Sequence, residues 1–114
     1  MANNIHSDKK TCNDDSIKRL SEHFKLLSEA NRLKILCSLG LECRPVSDVV
    51  NATGMSQTNV SFHLRILREA GLVRPERRGS FIYYCLPDPE LLRLVEDFRE
   101  WMESHSIGYK IEPD

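Results

Sequence analysis

Residues 56–68 read SQTNVSFHLRILR and concentrate groups able to recognise a polar, anionic partner. Ser56, Gln57, Thr58, Asn59, Ser61, His63, Arg65 and Arg68 supply hydroxyl, carboxamide, imidazole and guanidinium groups, with no acid before Glu69. The carboxamides of Gln57 and Asn59 each offer a donor beside an acceptor, the pattern that pairs with an adenine edge. His63 and Arg65 suit phosphate oxygens. A second basic pair, Arg77 and Arg78, stands beside Gly79 and fits contact with a nucleic-acid backbone or minor groove. The other reactive groups are four thiols, Cys12, Cys37, Cys43 and Cys85, which are soft ligands and redox-active groups.

These side chains need an element that turns them outward. In residues 46–71 the spacing predicts two helices about a tight turn. Ser47 is the expected cap of the first, Val49, Val50 and Ala52 its apolar face, and Gly54 its terminator. The second starts near Ser56 or Gln57, turns Val60, Leu64, Ile66 and Leu67 inward, and stops at Gly71. Two helices at a steep angle about a glycine-containing turn form a helix-turn-helix, whose second helix enters the major groove.

Upstream, Ile17, Leu20, Phe24 and Leu27 predict an amphipathic helix capped by Ser16. A second helix capped by Ser28 turns Leu33, Leu36, Cys37 and Leu39 inward and Arg32 and Lys34 outward, and residues 41–45 form a loop. Downstream, LVRPERRGSFIYYCL alternates about Arg77-Arg78-Gly79-Ser80, which predicts a β-hairpin with a basic tip. Ile82, Tyr84 and Leu86 share one face and Phe81, Tyr83 and Cys85 the other. A hairpin directly after a recognition helix is a wing. Asp88 and Pro89 open a last helix whose Leu91, Leu92, Leu94, Val95, Phe98, Trp101 and Met102 exceed what one small domain covers. The simplest partner is the same helix of a second copy about a two-fold axis. The fold expected is mainly α with a β-hairpin wing. Residues 1–15 form a flexible arm, 16–104 the DNA-binding and dimerisation domain, and 105–114 a tail.

The chain of 114 residues has a net charge of -1, which conceals a segregation. Residues 55–86 carry five Lys/Arg against two Asp/Glu, whereas residues 87–114 carry three against eight. Positive charge thus accompanies the second helix and the hairpin, where phosphate contacts are needed. The four cysteines show no CxxC spacing, and no signal peptide or membrane-length apolar run accompanies them. The expectation is a cytoplasmic protein with free thiols, no membrane association and no cofactor required for folding. No nucleophile, base and orienting group cluster along the chain, so it is not read as an enzyme.

The order helix, helix, helix-turn-helix, basic hairpin, helix resembles the ArsR/SmtB family of winged-helix repressors over roughly residues 24–102. The segments LLSEANRLKIL, GMSQTNVSFHLRILREAGLV and RRGSFIYYCL carry the resemblance. It implies a homodimer paired through first and last helices, bound to double-stranded operator DNA and released by an inducer. A thiophilic metal or metalloid ion, or a thiol-reactive compound, would fill that role.

Cys43 lies close to where arsenic, cadmium and lead sensors of that family place thiolates, although their Cys-x-Cys pair corresponds here to Pro45 and Ser47. Cys12, on an arm that some relatives fold across the dimer, joins Cys43 as a candidate metal ligand, with His6 able to assist. The family's zinc-type site on the last helix matches poorly, because Trp101 and Ser104 occupy its later positions. Cys37, otherwise a small core hydrophobe, is the redox-thiol candidate. Its disulfide partner in related switches lies on the last helix, which has no cysteine here, and Cys37 with Cys43 requires Cα atoms within about 7 Å. Cys85 reads as incidental. The alternatives are a winged helix used for protein contact and a family regulator without a metal inducer, either a redox or reactive-sulfur switch or a constitutive one.

Overall fold

The computed structural model describes residues 12–105. His6, most of the expected arm and the tail beyond His105 lie outside the described residues. The element order is α1 (Asp14–Leu27), α2 (Ala30–Leu39), β1 (Arg44–Pro45), α3 (Val46–Thr53), α4 (Gln57–Glu69), β2 (Arg74–Arg78), β3 (Phe81–Cys85) and α5 (Glu90–Ser104). The chain divides into two compact units, Met1–Lys34 and Ile35–Asp114.

In the first unit, α1 starts ahead of the predicted Ser16 cap. Asn13 is its N-cap, and the Asn13 Oδ1 accepts the Ser16 N–H at 2.8 Å. Ser28 does not cap α2. It ends α1, and its hydroxyl donates to the Lys25 carbonyl at 2.7 Å. Arg32, expected outward, donates from Nη1 to the Leu26 carbonyl at 3.0 Å, satisfying an acceptor in the last turn of α1. No residue of α1 is buried, and Ile17, Leu20 and Phe24 are exposed.

The second unit holds the core: Ile35, Leu36 and Leu39 of α2, Val49 of α3, Val60, Leu64 and Leu67 of α4, then Val73 and Cys85. On α2, Ile35 occupies the inward position expected for Cys37, which is exposed. Residues 35, 36 and 39 define that stripe, and position 37 lies about 100° beyond position 36 on the helix.

The helix-turn-helix forms as its spacing predicts, but with different caps. The N-cap of α3 is Pro45, not Ser47, and Gly54 closes the helix in the left-handed region at φ 74°. Ser56 caps α4, its side-chain oxygen accepting the Asn59 N–H at 3.1 Å. The N-cap of α5 is Pro89, one residue later than the expected Asp88, whose Oδ1 still accepts the Glu90 N–H at 3.0 Å.

The hairpin closes at the predicted tip, pairing Arg74 with Cys85 and Arg78 with Phe81. The expected loop before α3 contributes a third strand. β1 pairs antiparallel with β3, Arg44 opposite Tyr84 and Pro45 opposite Tyr83, giving the order β1-β3-β2. The fold is a winged helix-turn-helix, mainly helical, with its wing anchored to the strand that leads into α3.

Leu64 is fully buried. Leu64→Ala therefore lowers unfolding free energy in urea by about 2–5 kcal/mol. Gly54→Ala costs about 1–2 kcal/mol, because alanine meets a steric penalty at that φ.

Candidate nucleic-acid interface

The inward stripe of α4 decides what its outer face presents. Val60, His63, Leu64 and Leu67 are buried, so Ser56, Gln57, Thr58, Asn59, Ser61, Arg65 and Arg68 are left in solvent. His63, placed outward by its polarity, is 6% exposed. It lies three residues after Val60 and four before Leu67, so helical geometry sets it on the core stripe.

Phe62 departs from the polar character of the outer face. It is 47% exposed and packs edge-on to His63, with ring centroids 5.2 Å apart. An exposed aromatic ring among hydrogen-bonding groups suits apolar contact with a thymine methyl. Five residues before Leu67, Phe62 lies off the inward stripe of α4.

The N-terminus of α4 adds to the polar side chains. Its first turn carries no acid, and its backbone N–H groups form the positive end of the helix dipole. In the wing, Arg74, Arg77 and Arg78 are all exposed. The Arg78 guanidinium carbon stands 4.6 Å from the centre of the Tyr83 ring, and its Nε lies 3.5 Å from the Glu76 Oε2. Arg74 Nη1 lies 3.8 Å from Glu76 Oε1. Glu76 thus holds two arginines of β2 on one face of the wing. These pairs are half-exposed, and their role is orientation more than stability.

The thiols are arranged differently from the expected Cys12 and Cys43 ligand pair. Cys43 forms a disulfide with Cys85, with Cα atoms 4.2 Å apart, so Cys43 is neither free nor a partner for Cys37. Cys12 and Cys37 are free and exposed. Continuing the β1–β3 register by one step sets residue 43 opposite residue 85. The signal was therefore a strand pairing, which a two-residue β1 conceals in the sequence. Glu76 completes the group, its Oε1 lying 3.4 Å from the Cys43 Sγ and 3.3 Å from the Cys85 Sγ.

Outside the wing, α5 has no buried residue, and Leu94, Phe98, Trp101 and Met102 are exposed. Phe98 stacks on Trp101 and Trp101 on His105, with ring centroids 6.0 and 4.8 Å apart. The apolar column expected for pairing is thus present and uncovered. Among the described residues, no helix is long and apolar enough to cross a membrane.

Residues 29–74 match the family model described as bacterial regulatory protein, arsR family. A cadmium resistance transcriptional regulatory protein CadC homolog of Staphylococcus aureus is 39% identical over 89 residues, covering 75% of this chain and 72% of that protein. The arsenical resistance operon repressor of Bacillus subtilis is 33% identical over 84 residues, covering 71% and 78%. A homodimeric winged helix-turn-helix DNA-binding domain from Mycobacterium bovis, described as a possible ArsR-family transcriptional regulator, superposes with TM-score 0.71 at 27% identity. That match covers 92% of this chain and 95% of the other.

Alkylating the denatured, non-reduced protein should label only Cys12 and Cys37, with Cys43 and Cys85 labelled after reduction, as read by peptide mass spectrometry. Reduction should also lower unfolding free energy by about 2–4 kcal/mol, since the bond spans 42 residues.

Proposed function

The chain belongs to the bacterial arsR family of regulatory proteins, and from that premise we propose that it is a homodimeric, sequence-specific, DNA-binding transcriptional repressor. One observation carries the reading: the buried stripe of α4 leaves an acid-free polar face exposed from Ser56 to Arg68, next to a wing that displays Arg74, Arg77 and Arg78.

In this reading, α4 lies in the major groove with its N-terminal turn toward the bases. Gln57 and Asn59 read base edges, Thr58 and Ser61 add hydrogen bonds, and Arg65 and Arg68 hold phosphates. Arg77 and Arg78 follow the flanking backbone. His63 acts from within the core, fixing the helix that carries the others. The exposed apolar faces of α1 and α5 pair the two copies, and the dimer spaces two recognition helices for a pseudo-palindromic operator.

The protein works in the cytoplasm and performs no catalysis. An inducer releases the operator by binding the DNA-incompetent dimer more tightly, and linkage requires operator DNA to weaken inducer binding by the same factor. The named relatives in cadmium and arsenical resistance support a thiophilic ion or thiol-reactive compound as that inducer.

Titrating the protein against its own upstream DNA at several salt concentrations tests the reading. The expected complex is sequence-selective and loses affinity steeply with salt. Arg77→Ala lowers the salt slope by about 1 without changing sequence preference, whereas Gln57→Ala relaxes preference at one position of each half-site. Equal affinity for upstream and arbitrary DNA, or no affinity, would instead favour a protein-contact module.

A further inference from the structure

Apart from the DNA-facing surface, one group of ligand atoms converges among the described residues. Cys43, Glu76 and Cys85 bring two sulfurs and a carboxylate oxygen within 4.8 Å of one another. The sheet causes this convergence. Cys43 immediately precedes β1, Cys85 ends β3, and Glu76 lies two residues along β2 from Arg74, the partner of Cys85. Side chains alternate along a strand, so Arg74, Glu76 and Cys85 share one face. Cys85 is 3% exposed, while Cys43 and Glu76 are half-buried and leave a route from solvent.

The disulfide does not account for the carboxylate. A sulfur in a disulfide has no proton to donate, yet Glu76 Oε1 lies 3.4 and 3.3 Å from the two sulfurs. The same position serves a reduced pair. Two thiols can donate to this oxygen, or two thiolates and the oxygen can surround a cation.

We propose that, once reduced, Cys43, Cys85 and Glu76 form a binding site for one soft divalent cation at the root of the wing. A tetrahedral zinc-like ion with Zn–S near 2.3 Å and Zn–O near 2.1 Å needs sulfur-to-oxygen edges of about 3.6 Å and a sulfur-to-sulfur edge of about 3.8 Å. Both sulfur-to-oxygen edges already lie close to that value. Only the sulfur-to-sulfur edge must open, which follows when reduction breaks the bond.

Reduction adds two electrons and two protons to the disulfide, and a phosphine reductant supplies the electrons as it becomes a phosphine oxide with oxygen from water. Binding the ion then forms two metal–sulfur bonds and releases both thiol protons to solvent, with no change of oxidation state. Two thiolates, one carboxylate and a divalent ion sum to the same charge as two thiols and a carboxylate. The neighbouring Arg74 and Arg78 therefore still face one net negative charge. Two sulfurs select zinc or cadmium over magnesium or calcium. The disulfide and the ion exclude each other, because they use the same electron pairs. Assigning this site to the inducer rests on the proposed function. The binding itself does not, and it is read without DNA.

The test is a Cd2+ titration of the full-length protein, reduced with a phosphine that is then removed, followed by thiolate-to-metal ultraviolet absorption, calorimetry and proton release. The expected result is one ion per chain with two protons released, unchanged in a Cys12→Ser/Cys37→Ser variant. Binding disappears in Cys43→Ser and in Cys85→Ser, and Glu76→Gln weakens it at least about tenfold, the least that losing even an outer partner costs. Oxidising the wild-type protein to its disulfide removes the signal and reduction restores it, which needs no substitution and leaves Cys12 and Cys37 as internal controls. The inference is overturned if reduced wild type shows no such absorption, if the signal survives in the disulfide form or in Cys43→Ser/Cys85→Ser, if it is lost in Cys12→Ser/Cys37→Ser, or if Glu76→Gln binds as tightly as the parent.

Discussion

The arrangement depends on the burial of one stripe of α4. Val60, Leu64 and Leu67 are fully covered and His63 nearly so, in a core shared with Ile35, Leu36 and Leu39 of α2 and Val49 of α3. Fully burying an aliphatic side chain contributes roughly 1.5–3 kcal/mol. The stripe thus opposes rotation of α4 about its own axis with several such terms, whereas solvated side chains on the other face oppose it with almost none. A helix locked in this way presents a fixed set of polar groups, and fixed presentation is what base recognition requires.

The wing follows the same logic through the sheet. β3 lies between β1 and β2, and β1 leads directly into α3. The hairpin is therefore tied to the helix-turn-helix by strand pairing as well as through the chain from α4. Glu76 joins the functional elements on this face, with one carboxylate oxygen near both sulfurs and Arg74 and the other near Arg78.

Legibility in the sequence followed the range of the interaction. Elements fixed by local rules were readable: α4 and its start at Gln57, the Gly54 turn and the hairpin tip at Gly79. Cap assignments failed at Ser16, Ser28 and Ser47, where Asn13 caps α1 with its carboxamide, Ser28 turns its hydroxyl back to close α1, and α3 starts directly after Pro45. The polarity of His63 points outward although helical angle sets it on the buried stripe, whereas Cys37 satisfies i+4 spacing from Leu33 but burial on α2 centres on Ile35, Leu36 and Leu39. The Cys43 and Cys85 pair was invisible because it depends on β1, a strand of two residues that no periodicity can announce. Phe62 lies off the inward stripe yet is apolar, so spacing and residue type together give it no role until its exposure is known.

In the proposed dimer, two copies of α4, held in register by pairing through α1 and α5, meet two operator half-sites. Hydroxyl-radical footprinting of the reduced, metal-free protein on its upstream DNA tests this most directly. The expected pattern is two protected patches on one face of the duplex, related by a two-fold axis and centred about 34–36 Å apart or a multiple of that spacing. A single protected patch, or protection no greater than on arbitrary DNA, would contradict it.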